Sequence, residues 1–205
     1  MFKRSGKVPA MPANKQQQDR EEKRAEILAE ARRLFIEDGY EATSMSALAK
    51  AAGVAGNTIY WYFADKDDVL LAVLNSVMAD VLADLEQVSA GSLEHLLLWV
   101  VGKLQQMHRL VNTVHSRATH STAINAWHNG FHLMTEAMFR DRLEQAGVTG
   151  AGVDTEVKIG VFVVEGLLTH ELDDAEQQAI CRRLAEQWTR PWPTETRTIG
   201  PAATN

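Results

Sequence analysis

The sequence predicts an all-α protein in two helical domains, and three observations carry that prediction. Apolar residues recur at helical spacing in successive windows, most clearly at Val69, Leu70, Val73, Leu74, Val77, Val81 and Leu85. No window shows the strict alternation of a half-buried strand, and no internal repeat stands out. Glycines and prolines also punctuate the chain between periodic windows, at Gly39, Gly53, the 147–152 stretch, Pro191 and Pro193.

Taken in order, residues 1–18 carry Lys3, Arg4, Lys7 and Lys15 without an acid, and read as a disordered basic arm. A first helix is expected over about 19–38. Glu21 and Glu22 suit its N-terminal dipole, Ile27, Ala31, Leu34 and Phe35 form its apolar stripe, and Gly39 stops it. A fourth helix should run from about residue 65 to 87. Residues 89–92 (Ser-Ala-Gly-Ser) make a short break. Further helices are expected over 93–111, 119–145, 155–169 and 173–188, with a glycine-rich loop at 147–152. Pro191 and Pro193 end the last helix and leave a flexible tail over 191–205. The expected division is therefore arm 1–18, first domain 19–66, second domain 67–190 and tail 191–205.

The stretch 43–66, TSMSALAKAAGVAGNTIYWYFADK, is the most informative. Thr43 and Ser44 can cap a short helix and offer hydroxyls at an N-terminus whose free N–H groups favour phosphate. Met45, Leu48 and Ala49 give that helix one apolar side. Gly53 permits the positive φ of a sharp turn, and Val54 plugs the corner. From Asn57 to Phe63 a second helix is expected. Ile59 and Phe63 share its inner face, while Asn57, Thr58, Trp61 and Tyr62 share the outer one, with Tyr60 at the border. Three adjacent aromatics cannot all point inward on a helix. This is the pattern of a helix-turn-helix, whose second helix enters the DNA major groove.

From about residue 19 to 85 the chain resembles the N-terminal domain of TetR-family bacterial transcription regulators, and the TIYWYF…K run is its specific part. The resemblance implies a three-helix helix-turn-helix domain followed by a helical ligand-binding and dimerisation domain. It implies phosphate contacts from Thr43, Tyr60, Tyr62 and Lys66, with Asn57, Thr58 and Trp61 along bases and adjoining backbone. The chain departs from a common mode of reading. No Lys or Arg lies between Ala51 and Asp65, so base recognition rests on Asn57, Thr58 and apolar contacts rather than on bidentate arginine.

The formal net charge of −6 is unevenly spread. Residues 1–66 hold 11 Lys/Arg and 9 Asp/Glu, against 10 and 18 over 67–205, so the reading segment is the less acidic part. The single cysteine, Cys181, excludes an intramolecular disulfide framework and fits a reducing compartment. Neither a secretory h-region nor an apolar run of spanning length is present. A soluble, cytoplasmic protein without membrane contact is expected.

In the second domain, residues 157–168 are apolar nearly all round, which points to burial against a partner as well as the chain's own core. Val157, Val161, Val164 and Leu168, with Ile180, Leu184 and Trp188 of the last helix, are the candidate homodimer interface. The resemblance implies a four-helix interface of that kind, and a dimer suits a palindromic operator. By the same resemblance the central helices hold a small-molecule effector. Trp127, Phe131, Met134 and Met138, joined by Trp99 and Met107, would line an apolar or aromatic ligand; plain core is the competing reading.

Six of the seven histidines lie between His95 and His132. His128, His132 and Glu136 recur every four residues on one helix edge, and His108, His115 or His120 could add a ligand. A metal-responsive regulator is thus a rival reading, beside a polar cavity rim or a solvated face. No cofactor is expected. No phosphate-cradling glycine loop, nucleophile elbow or HExxH pattern points to an enzyme. The expectation is a dimeric DNA-binding regulator, most simply a repressor released by a small molecule. A helical ligand-binding or scaffolding dimer without operator reading is the alternative.

Overall fold

A computed structural model describes residues 13–88, 91–148 and 152–189. Every described element is helical: α1 (Ala13–Glu37), α2 (Met45–Ala51), a single 3-10 turn (Thr58–Trp61), α3 (Lys66–Val88), α4 (Leu93–Gln106), α5 (His108–Ala118), α6 (Thr122–Gln145), α7 (Val153–Thr169) and α8 (Asp174–Thr189). The chain divides into two units. One runs up to Glu86 and includes 107–128; the other holds 87–106 and the chain from residue 129. The units therefore do not follow the expected cut at 66/67, because α3, α5 and the start of α6 pack with the helix-turn-helix.

The first unit is built around the stripe of α1. Ile27, Ala31 and Phe35 are fully buried, four residues apart, against Leu48, Ile59, Phe63, Val69, Leu70 and Val73. Gly39 adopts φ +93, which lets the N–H groups of Asp38 and Gly39 both donate to the Leu34 carbonyl and end the helix. Ser44 caps α2 by accepting from the Ala47 N–H at 3.1 Å. After α2, Gly53 takes φ +64 as the tight turn requires, and the Val54 N–H donates to the Ala49 carbonyl. Asp65 and Asp68 secure the start of α3: Asp65 Oδ1 accepts from the Asp68 N–H at 2.8 Å, and Asp68 Oδ2 accepts from the Ala64 N–H at 3.0 Å. Leu110 and Val114 of α5 and Ile124 of α6 complete the core.

The second unit packs Leu97 and Val101 of α4, Leu143 of α6, Val153, Val157 and Leu167 of α7, and Cys181, Leu184, Ala185 and Trp188 of α8. Phe139 and Trp188 meet edge to face with ring centroids 5.0 Å apart. Gly160 lies beneath them: a Cβ there would stand 2.6 Å from Phe139 and 3.0 Å from Trp188. The Trp188 indole N–H donates to Glu156 Oε2 at 2.8 Å, so the buried carboxylate and the buried ring satisfy one another.

Several expectations need correction. Helix α1 begins at Ala13, six residues before the expected start, so only residues 1–12 of the arm lie outside the described residues. The tail 191–205, Ser89–Ala90 and residues 149–151 also lie outside them. The helix expected over 93–111 breaks at Met107, whose ψ of 19° is not helical. Helix α5 then occupies 108–118 and runs through the connection expected over 112–118, because burying Leu110 and Val114 outweighs the weak helix propensity of its Thr, Asn and His residues. Val157, Leu184 and Trp188, assigned to a dimer interface, are interior to the second unit. The apolarity of α7 is thus used largely within its own chain.

Candidate nucleic-acid interface

The second helix of the helix-turn-helix is shorter than expected. Only Thr58–Trp61 forms a helical turn, of 3-10 type, although the Phe63 N–H still donates to the Ile59 carbonyl at 3.1 Å. The inward and outward faces follow the sequence reading. Ile59 and Phe63 are fully buried, whereas Tyr60 is 55% and Trp61 73% exposed. Asn57 is exposed, and Thr58 and Tyr62 are half-buried beside it. A 73% exposed tryptophan next to a fully buried isoleucine leaves a large apolar surface facing out from a well-packed support.

Helix α1 holds this turn in a way the sequence did not reveal. The Arg20 guanidinium donates to the Trp61 carbonyl at 3.0 Å, and the Arg24 guanidinium stands 4.7 Å above the Phe63 ring. Asp19, Arg20, Trp61 and Tyr62 line an open groove at this edge. Both arginines lie about 40 residues before their partners, and only their place on the exposed start of a long helix could have pointed to them.

Thr43 behaves differently from its expected role, and Lys66 is anchored by its neighbours. Thr43 is buried, and its hydroxyl donates to the Gly39 carbonyl at 2.8 Å. It closes the α1–α2 connection rather than facing a phosphate, because Gly39 turns that carbonyl back toward it. Ser44 is the exposed hydroxyl of the pair. Lys66 is half-buried: its ammonium donates to the Tyr40 carbonyl at 2.9 Å and stands 4.0 Å above the Tyr40 ring. Two of its three N–H donors remain beyond that bond.

Behind Lys66 is a polar node. Tyr40 donates its hydroxyl hydrogen to Asp67 Oδ1. Arg117 of α5 reaches the same carboxylate with Nε at 3.2 Å and Nη2 at 2.8 Å. Burial pushes the Asp67 pKa up, but hydrogen bonds from Arg117, Tyr40 and Ser121 outweigh it, and the net shift is downward. Burial first, then the bond to Asp67, raises the Tyr40 hydroxyl well above its ordinary value. The Asp67 bond in turn raises Arg117.

The proposed effector residues divide between the units. Met107 and Trp127 pack against the core of the first, and the Trp127 indole donates to Asn75 Oδ1 at 2.9 Å. Trp99, Phe131, Met134 and Met138 belong to the second and are half-buried, with the Lys103 ammonium 5.5 Å from the Trp99 ring centroid. Of the dimer candidates, Val161, Val164 and Leu168 are half-buried and Ile180 is exposed. Phe162, which the sequence reading passed over, is 68% exposed. Among the described residues no helix is long and apolar enough to cross a membrane.

Residues 27–73 match the family model described as bacterial regulatory proteins, tetR family. The transcriptional regulator AcrR of Shigella flexneri is 47% identical over 57 residues, which is 28% of this chain and 26% of that protein. The fatty acid metabolism regulator protein of Bacillus subtilis is 36% identical over 62 residues, 30% of this chain and 32% of that one. The chain thus spans about a third or less of these curated relatives. Among solved structures, a TetR transcription regulator from Haloarcula marismortui aligns with a TM-score of 0.66 at 19% identity, covering 82% of this chain and 97% of its own. GusR of Salmonella enterica aligns with a TM-score of 0.62 at 17% identity, covering 82% and 94%. At such identities these likenesses establish the all-helical fold with its N-terminal helix-turn-helix. Over residues 27–73 the chain is similar to the tetR family of bacterial regulatory proteins.

Proposed function

We propose that the chain is a sequence-specific DNA-binding transcription regulator of the cytoplasm, acting as a homodimeric repressor that a small, largely apolar ligand releases from a palindromic operator. The observation that carries this reading is the 3-10 turn, with Ile59 and Phe63 buried beneath an exposed Tyr60, Trp61 and Asn57. A turn supported that firmly can present its outer side chains to a groove at little ordering cost. Asn57 can pair with an adenine edge, Thr58 and Trp61 offer apolar and hydroxyl contacts, and Ser44, Tyr60, Tyr62 and Lys66 face the phosphates.

Release by a ligand is a linkage: the effector binds better to a form whose reading turns are misplaced, and DNA to the other. Trp99, Phe131, Met134 and Met138 are the effector candidates that remain outside the core of the first unit. For the dimer, Val161, Phe162, Leu168 and Ile180 keep exposed apolar surface on α7 and α8 once the interior residues are set aside.

The test is a binding titration against DNA flanking the chain's own gene, with excess non-specific competitor and at several salt concentrations. A discrete, competitor-resistant complex is expected, with a log–log salt slope near −0.9 per phosphate neutralised. A shallow slope with no sequence preference, across flanking DNA and a genomic fragment library alike, would favour a helical dimer that does not read DNA.

A further inference from the structure

Outside the recognition surface, the helices α5 and α6 bring histidines together. His115 of α5 and His128 of α6 meet edge to face, with ring centroids 5.0 Å apart at 87°. A ring nitrogen of His115 lies within 4.8 Å of one on His128. Two imidazoles that close together can both reach one ion.

The donor chemistry selects the ligand. Neutral imidazole suits Zn2+, Co2+, Ni2+ and Cu2+ and serves Mg2+ or Ca2+ poorly, since those ions prefer oxygen. Two nitrogens bound to one tetrahedral zinc stand about 3.3 Å apart. From 4.8 Å the rings need close by only about 1.5 Å, a side-chain adjustment for an exposed His115 and a half-buried His128. The neighbouring His120 is turned elsewhere, its Nδ1 meeting Thr119 Oγ1 at 2.7 Å and the Ser116 carbonyl at 3.1 Å.

We propose that His115 and His128 bind a first-row transition-metal dication of the zinc, cobalt and nickel class, and that this ion modulates DNA binding. The second half rests on the regulator reading given above. The route is short. Two residues beyond His115 on α5, Arg117 grips Asp67 at the first turn of α3, and Asp67 holds Tyr40 beside Lys66. An ion that draws α5 against α6 acts on that contact, and so on the support of the reading turn.

The experiment uses the full chain, stripped with chelator and titrated with CoCl2, following the visible absorption of bound Co2+, and then with ZnCl2 as competitor. One ion per chain is expected, displaced by Zn2+. His115→Ala and His128→Ala should each weaken binding by about tenfold or more, while His95→Ala and His170→Ala, exposed and elsewhere, leave it unchanged. Equal uptake by the wild type and the His115→Ala/His128→Ala chain would overturn the site. If that double variant loses its helical circular dichroism, His115→Asn alone decides, because the residue is exposed.

A second arm measures affinity for an operator fragment with and without Zn2+. A change of about fivefold or more, absent in His115→Ala, is expected. Unchanged affinity with the ion bound would overturn the regulatory half. Failure to bind DNA in either state would instead remove the regulator reading, and the cobalt titration would still judge the site by itself.

Discussion

Arg117 on α5 holds Asp67 at the start of α3 with two nitrogens at once, at 2.8 and 3.2 Å, across 50 residues of sequence. The pair is partly screened from water, with side-chain exposures of 30% and 18%. Two charge-assisted bonds of this kind, shared with Tyr40, are expected to contribute about 1–3 kcal/mol. Asp67→Asn should therefore lower the urea midpoint at neutral pH. The Asp67 pKa is lowered in the folded chain, so its contribution is present above the ordinary carboxylate value of 3.8 and is lost as pH falls through the lowered one. Wild type and Asp67→Asn should converge in acid. A constant difference between them at every pH would mean that the pair carries no such linkage.

Trp61 is exposed and Ile59, two residues earlier, is not. Trp61→Ala should change stability by no more than about 0.5 kcal/mol, yet reduce operator affinity by about tenfold or more. Asn57→Ala should relax sequence preference with less effect on the salt slope. Anisotropy titrations on matched and mismatched fragments separate the two. Loss of thermal stability in Trp61→Ala would show that the ring supports the fold instead.

Gly160 has no room for a methyl group. Gly160→Ala would drive Cβ into the Phe139 ring and against Trp188, and both rings are held in an interior pair. A loss of about 1–3 kcal/mol is expected from this overpacking, visible as a lower thermal midpoint and altered tryptophan fluorescence. Gly166→Ala is the control on the same helix, since nothing lies within 4 Å of a Cβ there.

Phe162 and Val157 share α7 but not an environment. Phe162→Asp should dissociate a dimer at unchanged monomer fold, read by sedimentation velocity together with circular dichroism. Val157→Ala should destabilise the second unit by about 1–3 kcal/mol with little change in assembly. A wild-type chain that sediments as a monomer at micromolar concentration would remove the dimer reading.

Much of the site was legible because it is local. The cap at Ser44, the turns at Gly39 and Gly53, and the inward faces of Ile59 and Phe63 depend on neighbours within a turn or two of the chain, so spacing and residue type suffice to place them. The same logic placed α3 within a residue at each end. The break at Met107 was not legible, since periodic apolar residues continue through it and only packing decides where the chain bends.

By itself, the sequence determined the all-helical class, the helix-turn-helix and the side chains on its outer face, since helical period and turn chemistry are short-range properties. Tertiary structure decided which of those side chains are available. Thr43 is withdrawn to the Gly39 carbonyl, and Lys66 is placed over Tyr40. Trp188 is committed to Glu156. The sequence left each of these open, because an apolar stripe or a hydroxyl carries no mark of the partner it will meet. In the last two pairs that partner lies 26 and 32 residues away, where only the packing of whole helices brings it into contact.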